Sequence, residues 1–216
     1  MSHVITIDGP AMAGKSTTAA AVAKALGFVH INTGAVYRAL AVWRNRHPDC
    51  PVESNCVSGA IAITDGVPVQ SMYDDGLDVT PYLYAEGVSD IASRMSENPM
   101  VRRAANAIIR KLCEGHNVVL EGRDTGSVLF PDADLKIFLT ADVKTRASRT
   151  RPDDRKGRTL EQCVDDLAAR DARDSTRACD PLVRTDDMIL VDNRSLYPEE
   201  TVESILALWK GIGHVG

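Results

Sequence analysis

The run Gly9-Pro10-Ala11-Met12-Ala13-Gly14-Lys15-Ser16 fits G-x-x-x-x-G-K-[ST] without deviation. Its glycines let successive backbone N–H groups turn inward on phosphates, and a following helix N-terminus adds a favourable dipole. Lys15 then reaches the β- and γ-phosphates and the Ser16 hydroxyl holds Mg²⁺, with Thr17 closing the cradle. Gly9 to Thr17 is therefore the candidate site for ATP and Mg²⁺. The competing reading is a chance glycine-rich turn, against which stand the intact motif and its strand-to-helix frame. The loop does not identify the phosphoryl acceptor, since GTPases, motors, regulators and small-molecule kinases all use it. A short chain, no second motor domain and no guanine-reading N-K-x-D favour a small kinase.

Joining two nucleotides brings together several negative charges, so such an enzyme needs guanidinium groups on the acceptor phosphate and the transferring group. Three clusters supply them. Thr33-Gly34-Ala35-Val36-Tyr37-Arg38 opens a helix, and Glu121-Gly122-Arg123-Asp124-Thr125-Gly126 follows a strand. Arg170, Arg173, Asp174 and Arg177 are spaced i, i+3, i+4 and i+7, so they share one face of a helix that persists that far. Taken singly, each has a bland reading as a solvated or ion-paired surface group. Their occurrence alongside the phosphate loop moves all three towards function.

The elements that would position these groups alternate. Val4–Ile7, residues 28–31, 117–120, 135–139 and 188–191 read as short apolar strands. Between them lie a helix from Lys15 to Leu26 stopped by Gly27, one capped by Asn32 or Thr33, one after Pro99 reaching Cys113, one near 141–150 and one from Leu160 to about Arg173. The last begins near Pro198 and carries Val202, Ile205, Leu206 and Trp209 on one face. Five such strands predict an α/β fold with a parallel sheet covered on both faces. Residues 47–98 break the pattern with four prolines, a β-like piece at 67–72 and a turn at Tyr73-Asp74-Asp75-Gly76, as an insertion would.

Composition bounds the rest. The 216 residues are 44% hydrophobic and carry a net charge of −5, so phosphate binding must come from local arginines rather than a basic surface. That balance gives no support to nucleic-acid or membrane partners. Five cysteines without a C-x-x-C pair predict reduced, structural thiols in a cytoplasmic protein. The five histidines lack metal-ligand spacing, and no apolar stripe is left over for a partner, so a monomer is expected.

Several runs resemble the bacterial cytidylate kinase family of nucleoside monophosphate kinases. They are Ile5-Thr6-Ile7-Asp8-Gly9-Pro10, Thr33 to Arg38, Glu121 to Leu139, Arg146-Ala147-Ser148-Arg149, and Arg170-Asp171 continuing to Arg177 and Pro181-Leu182. They span nearly the whole chain. The resemblance implies an adenylate-kinase-like three-layer P-loop fold over residues 1–216. Its core would be 1–42, 98–149 and 170–216, with a monophosphate-binding insert at 43–97 and a mobile lid at 150–169. It implies transfer from ATP to CMP or dCMP. Arg38, Arg123 and Arg177 would hold the acceptor phosphate, with Thr33 and Tyr37 beside them. Ser93, Arg102 and Asp124 would approach the base or sugar, Arg170 and Asp174 the pentose, and Arg146 and Arg149 the ATP phosphates when the lid closes. Lys15, Arg123, Arg149 and Arg177 would then be the catalytic groups.

The chain departs from the family where Leu83-Tyr84 replaces an Ile-Arg pair, where Thr150 follows Arg149, and in a short hairpin and lid. Two alternatives stay open. One is a related kinase of another acceptor, such as UMP, AMP or a non-nucleotide hydroxyl. The other is a module that senses ATP and CMP without useful turnover.

Overall fold

Apolar β-branched runs form strands and alanine-rich runs form helices in the computed structural model, which describes residues 2–64, 66–150 and 157–213. In chain order the elements are β1 (Val4–Asp8), α1 (Lys15–Leu26), β2 (Val29–Asn32), α2 (Thr33–Arg46), β3 (Val57–Thr64), β4 (Val67–Asp74), β5 (Leu77–Asp78), α3 (Val88–Met95), α4 (Pro99–Cys113), β6 (Val118–Gly122), β7 (Leu135–Thr140), α5 (Val143–Ser148), α6 (Leu160–Thr176), β8 (Ile189–Asp192) and α7 (Pro198–Gly211). Five strands form a parallel sheet in the order β2-β6-β1-β7-β8.

Alternation along β6 shows how both faces are covered. Val118 and Leu120 pack with Ile31 against Leu40 of α2 and Ile109 of α4. Val119, between them, packs with Ile5, Ile7 and Ile137 against Val22 of α1 and Ile205 and Trp209 of α7. The predicted three-layer α/β fold with five parallel strands is present. All five strands lie within two residues of their expected positions. β2 starts one residue late because Phe28 N–H still donates to Ala23 O around the left-handed Gly27, which closes α1.

Weak periodicity in 47–98 concealed two elements, β3 and α3. β3 pairs antiparallel with β4 from Val57↔Asp74 to Thr64↔Val67, and β5 adds a short third strand. The turn expected at 73–76 is tighter: β4 runs through Asp74, and Asp75-Gly76, both at positive φ, reverse the chain. Gly59 lets β3 lie close on α4, since a Cβ there would stand 2.9 Å from both Leu112 δ-carbons. The region 43–97 thus contains a second sheet and α3. The lid expected at 150–169 falls partly on 151–156, outside the described residues. After that gap, a capping box starts α6: Gln162 N–H donates to Thr159 Oγ1 (3.2 Å) and Thr159 N–H to Gln162 Oε1 (2.9 Å).

No two of the five cysteines are bridged. Among the described residues no helix is long and apolar enough to cross a membrane.

Candidate active site

The phosphate loop leaves β1 through Gly9, whose φ of 151° and contact with the Leu139 carbonyl leave no room for a Cβ. It reaches α1 through Gly14 at φ 90°. Lys15 is buried at the start of α1, and its Nζ donates to Pro10 O at 2.7 Å. Burial pushes the Lys15 pKa well down, and the charge of Arg123 adds to the effect. From behind, Arg146 donates to Ala11 O (2.8 Å) and Ala141 O (2.8 Å) and pairs with Asp171 Oδ2 (2.7 Å). Asp171 Oδ1 in turn accepts from Ala11 N–H at 3.1 Å. Arg146 therefore braces the loop through Ala11 and Asp171 and does not itself line the cleft.

The end of β6 is locked to its neighbours. Thr33 Oγ1 donates to Glu121 O (2.7 Å), joining α2 to β6. Asp8 accepts from Thr125 N–H (3.0 Å), Thr125 Oγ1 (2.8 Å) and Gly126 N–H (2.8 Å), joining β1 to the turn after β6. Gly122 sits in that junction, where a Cβ would meet Thr125 Cγ2 at 2.6 Å and Thr33 Oγ1 at 2.7 Å.

Arg123 and Asp124, which follow, enter a charged network. Asp124 accepts from Arg102 through Oδ2 and from Arg177 through Oδ1, the latter at 3.1 Å. Arg102, 1% exposed, also donates to Asp180 Oδ2 at 2.6 Å. Arg123 Nε donates to Asp174 Oδ2 at 2.7 Å. Burial acts to raise the Asp174 pKa, but Arg123, Arg170 and Arg177 outweigh it and hold it below the ordinary value. α6 persists through Thr176, so Arg170, Asp174 and Arg177 share one face as their spacing predicted, while Arg173 turns towards Asp90 (3.7 Å). Arg170 is pushed down to about 10 by burial and by its neighbour Arg123.

These groups line one cleft of about 520 Å³. It gathers Ala11 to Thr17, Thr33, Tyr37, Arg38, Ser93, Arg102, Arg123, Asp124, Arg149, Arg170, Asp174 and Arg177. Gly9, Pro10 and Arg146 support the loop without lining the cleft. Five lining atoms, Tyr37 Oη, Arg38 Nε, Ser93 Oγ, Glu121 Oε1 and Arg170 Nε, are buried without a hydrogen-bond partner among the described residues. Such atoms are costly unless a ligand meets them.

Residues that sequence reasoning passed over also line the cleft. Asn193, just after β8, donates to Ala13 O at 3.0 Å and accepts from Arg149 Nη1 at 3.0 Å. Leu196, Pro198 and Thr201 extend that end. The signal was available, since ligands of open α/β sheets collect beyond strand carboxyl ends. Glu121 is a second omission. Its Oε1 is buried without a hydrogen-bond partner among the described residues, 3.7 Å from His30 Nε2. Burial acts to raise its pKa, but His30, Lys15 and Ser16 outweigh this and lower it.

Oxygen donors near the phosphate loop suit a hard divalent cation that keeps most of its shell from water and phosphate, as Mg²⁺ does. No group of three or more acidic, histidine or cysteine side chains that could hold a metal occurs among the described residues. Ser16 and the Glu121 carboxylate, whose Oε1 accepts no hydrogen bond among the described residues, fit such a lightly ligated ion.

The cytidylate kinase family model matches residues 5–211. The cytidylate kinase of Halalkalibacterium halodurans is 41% identical over 214 residues, covering 95% of this chain and 96% of its own. That of Chlamydia trachomatis is 40% identical over 211 residues (95% and 97%), and that of Thermotoga neapolitana 37% over 217 (96% and 97%). Among solved structures, a shikimate kinase from Bacteroides thetaiotaomicron has a TM-score of 0.51 at 13% identity, covering 96% of this chain and 98% of that one. TT1252 from Thermus thermophilus gives 0.50 at 16%, with full coverage of both.

Proposed function

This chain belongs to the cytidylate kinase family, and from that premise we propose how its cleft transfers the γ-phosphoryl group of ATP to CMP or dCMP, releasing ADP and CDP or dCDP. The observation that carries the assignment of roles is the single cleft running from the phosphate loop to the arginine cluster, with five buried polar atoms awaiting partners.

At the donor end the backbone N–H groups of residues 11–17 cradle the ATP phosphates. The buried Lys15 turns from Pro10 O to the β- and γ-oxygens, where counter-charge restores its proton affinity. Ser16 and Glu121 would hold Mg²⁺, which would neutralise charge on the phosphates. Arg149, fixed on Asn193, meets the phosphates from the other side. Arg146 serves the same end indirectly by holding Ala11.

At the acceptor end Arg38, Arg123 and Arg177 neutralise the monophosphate, with Thr33 and Tyr37 forming the wall. Arg170 and Asp174 face the pentose, while Ser93, Arg102 and Asp124 face cytosine. A carboxylate has about four lone-pair sites, so Asp124 can accept from the N4 amino group while retaining its two arginines. Arg102 still has N–H groups to give to N3 or O2. Uracil inverts donor and acceptor at positions 4 and 3, so a site of this kind rejects UMP by leaving buried groups unpaired. Positioning and charge neutralisation supply the catalysis without a dedicated general base. Lys15, Arg123, Arg149 and Arg177 are the catalytic groups of this scheme.

In the same reading, residues 43–97 are the monophosphate-binding insert and 150–169 the lid. The enzyme is a cytoplasmic monomer acting on small molecules, without nucleic-acid or membrane partners. Phosphotransfer from Mg·ATP to CMP, dCMP, UMP, AMP, GMP and dTMP, followed by ADP release, tests the scheme. Strong turnover with CMP and dCMP, weak with UMP and none with purines is expected. Turnover with none, despite ATP binding, would overturn it.

A further inference from the structure

Arg38 is held in the cleft by side chains that phosphoryl transfer does not itself require. Its guanidinium lies over the ring of Tyr84, with Cζ 4.5 Å from the centroid. Its Nη2 donates to Tyr84 Oη at 3.1 Å and to Asn32 Oδ1 at 3.4 Å. Asn32 is itself immobilised by Gln70 of β4. The Gln70 side chain accepts from Asn32 N–H (2.8 Å) and donates to Asn32 O (3.3 Å). On the remaining side Gly34 leaves a narrow slot, where a Cβ would stand 3.1 Å from Arg38 Nη1. With these contacts made, Arg38 Nε is still buried and unpartnered among the described residues.

Tyr84 is 71% exposed and lines the cleft mouth, between the turn at 80–82 and α3. A tyrosine so exposed has no packing role to explain its pose. An unconstrained arginine on a cleft wall samples many rotamers, and a bound phosphate would have to select one. A ring held against the guanidinium removes that selection before the ligand arrives, which raises affinity without adding a ligand contact.

We propose that Tyr84 is a positioning residue for the acceptor phosphate, its ring face holding the Arg38 guanidinium in its phosphate-binding pose. This rests on the reading of Arg38 as an acceptor-phosphate ligand. The effect is uniform binding, so it falls on the acceptor KM and not on kcat. Because the ring acts on the phosphate end, the CMP:UMP preference stays unchanged.

Steady-state kinetics of Tyr84→Ala, Tyr84→Phe, Arg38→Ala and the Tyr84→Ala/Arg38→Ala double variant test the proposal. Tyr84→Ala raises the KM for CMP roughly 5- to 20-fold, as loss of a partly desolvated cation–π contact would, with kcat and the KM for ATP within about twofold. Tyr84→Phe keeps the ring and stays within about threefold of the parent. In the Arg38→Ala background, Tyr84→Ala has no further effect. An unchanged KM for CMP in Tyr84→Ala would overturn the proposal. So would a Tyr84→Phe variant as impaired as Tyr84→Ala, or additive losses in the double variant. If Arg38→Ala is impaired and Tyr84→Ala is not, the Tyr84 inference alone falls. If Arg38→Ala leaves the KM for CMP untouched, the acceptor-phosphate reading of Arg38 falls and the inference with it.

Discussion

Replacing Asp171 by alanine removes the carboxylate that grips the phosphate loop from behind. Two interactions disappear: the hydrogen bond from Ala11 N–H at 3.1 Å and the ion pair to Arg146 Nη1 at 2.7 Å. Breaking a buried pair by removing one partner costs about 3–5 kcal/mol, because the remaining charge is stranded. Here Arg146 keeps the Ala11 and Ala141 carbonyls as acceptors, and the Asp171 side chain is 21% exposed. Both facts reduce the loss to about 2–3 kcal/mol, which for a protein of this length lowers the melting temperature by roughly 5–10 °C. The loop then loses its rear support, so the KM for ATP rises while that for CMP changes less. Asp171→Asn keeps an oxygen for Ala11 N–H but loses the charge, and should fall between parent and alanine variant. Thermal melting and ATP-dependent initial rates measure both. A melting temperature within about 1 °C of the parent, with an unchanged KM for ATP, would refute the reasoning.

Lys15→Ala should cut turnover by about a thousandfold or more in an ADP-release assay, since it removes a preorganised charge at the transferring group. As burial already disfavours the charged amine, the variant should melt no lower than the parent. Asp124→Asn should reduce the preference for CMP over UMP by about tenfold, measured as the ratio of kcat/KM values; an unchanged ratio would sink the assignment of Asp124 to the base. The depressed pKa of Asp174 contributes stability that is fully present above 3.8 and lost as pH falls through the lower folded-state value. Melting curves between pH 5 and 3 should therefore fall less steeply for Asp174→Asn than for the parent. Gly122→Ala forces a methyl against Thr125 and Thr33 and should cost about 1–3 kcal/mol by chemical denaturation.

The parallel sheet was legible because a strand buried on both faces is a continuous apolar run, as in Val118-Val119-Leu120, whose flanking turns are marked by glycine and asparagine. The start of α2 was legible for a local reason as well: Asn32 Oδ1 accepts from Ala35 N–H, and an asparagine before a helical run advertises that bond. β3 was not legible. Val57-Ser58-Gly59-Ala60-Ile61-Ala62-Ile63-Thr64 alternates only weakly, and its glycine is there to admit Leu112 of α4, a contact that no local pattern encodes. The arginines were found by type and spacing, but their partners were not. Asp174 could equally have taken Arg170 one turn away, and only the fold brings Arg123 to it from 51 positions distant. The contacts of Arg146 were hidden for the same reason: its partner Asp171 and its acceptor Ala11 lie on different elements.

Arg170 and Asp171 are neighbours on α6, about 100° apart around its axis. Arg170 lines the cleft and Asp171 holds the phosphate loop. A single residue inserted between Gln162 and Ala169 would turn both stripes by that angle and slide them by about 1.5 Å, disabling the two halves together. A change in length before Thr159 would leave the helix register untouched, because the capping box restarts it there. A length change ahead of the cap should therefore be tolerated, whereas one between Gln162 and Ala169 should abolish function.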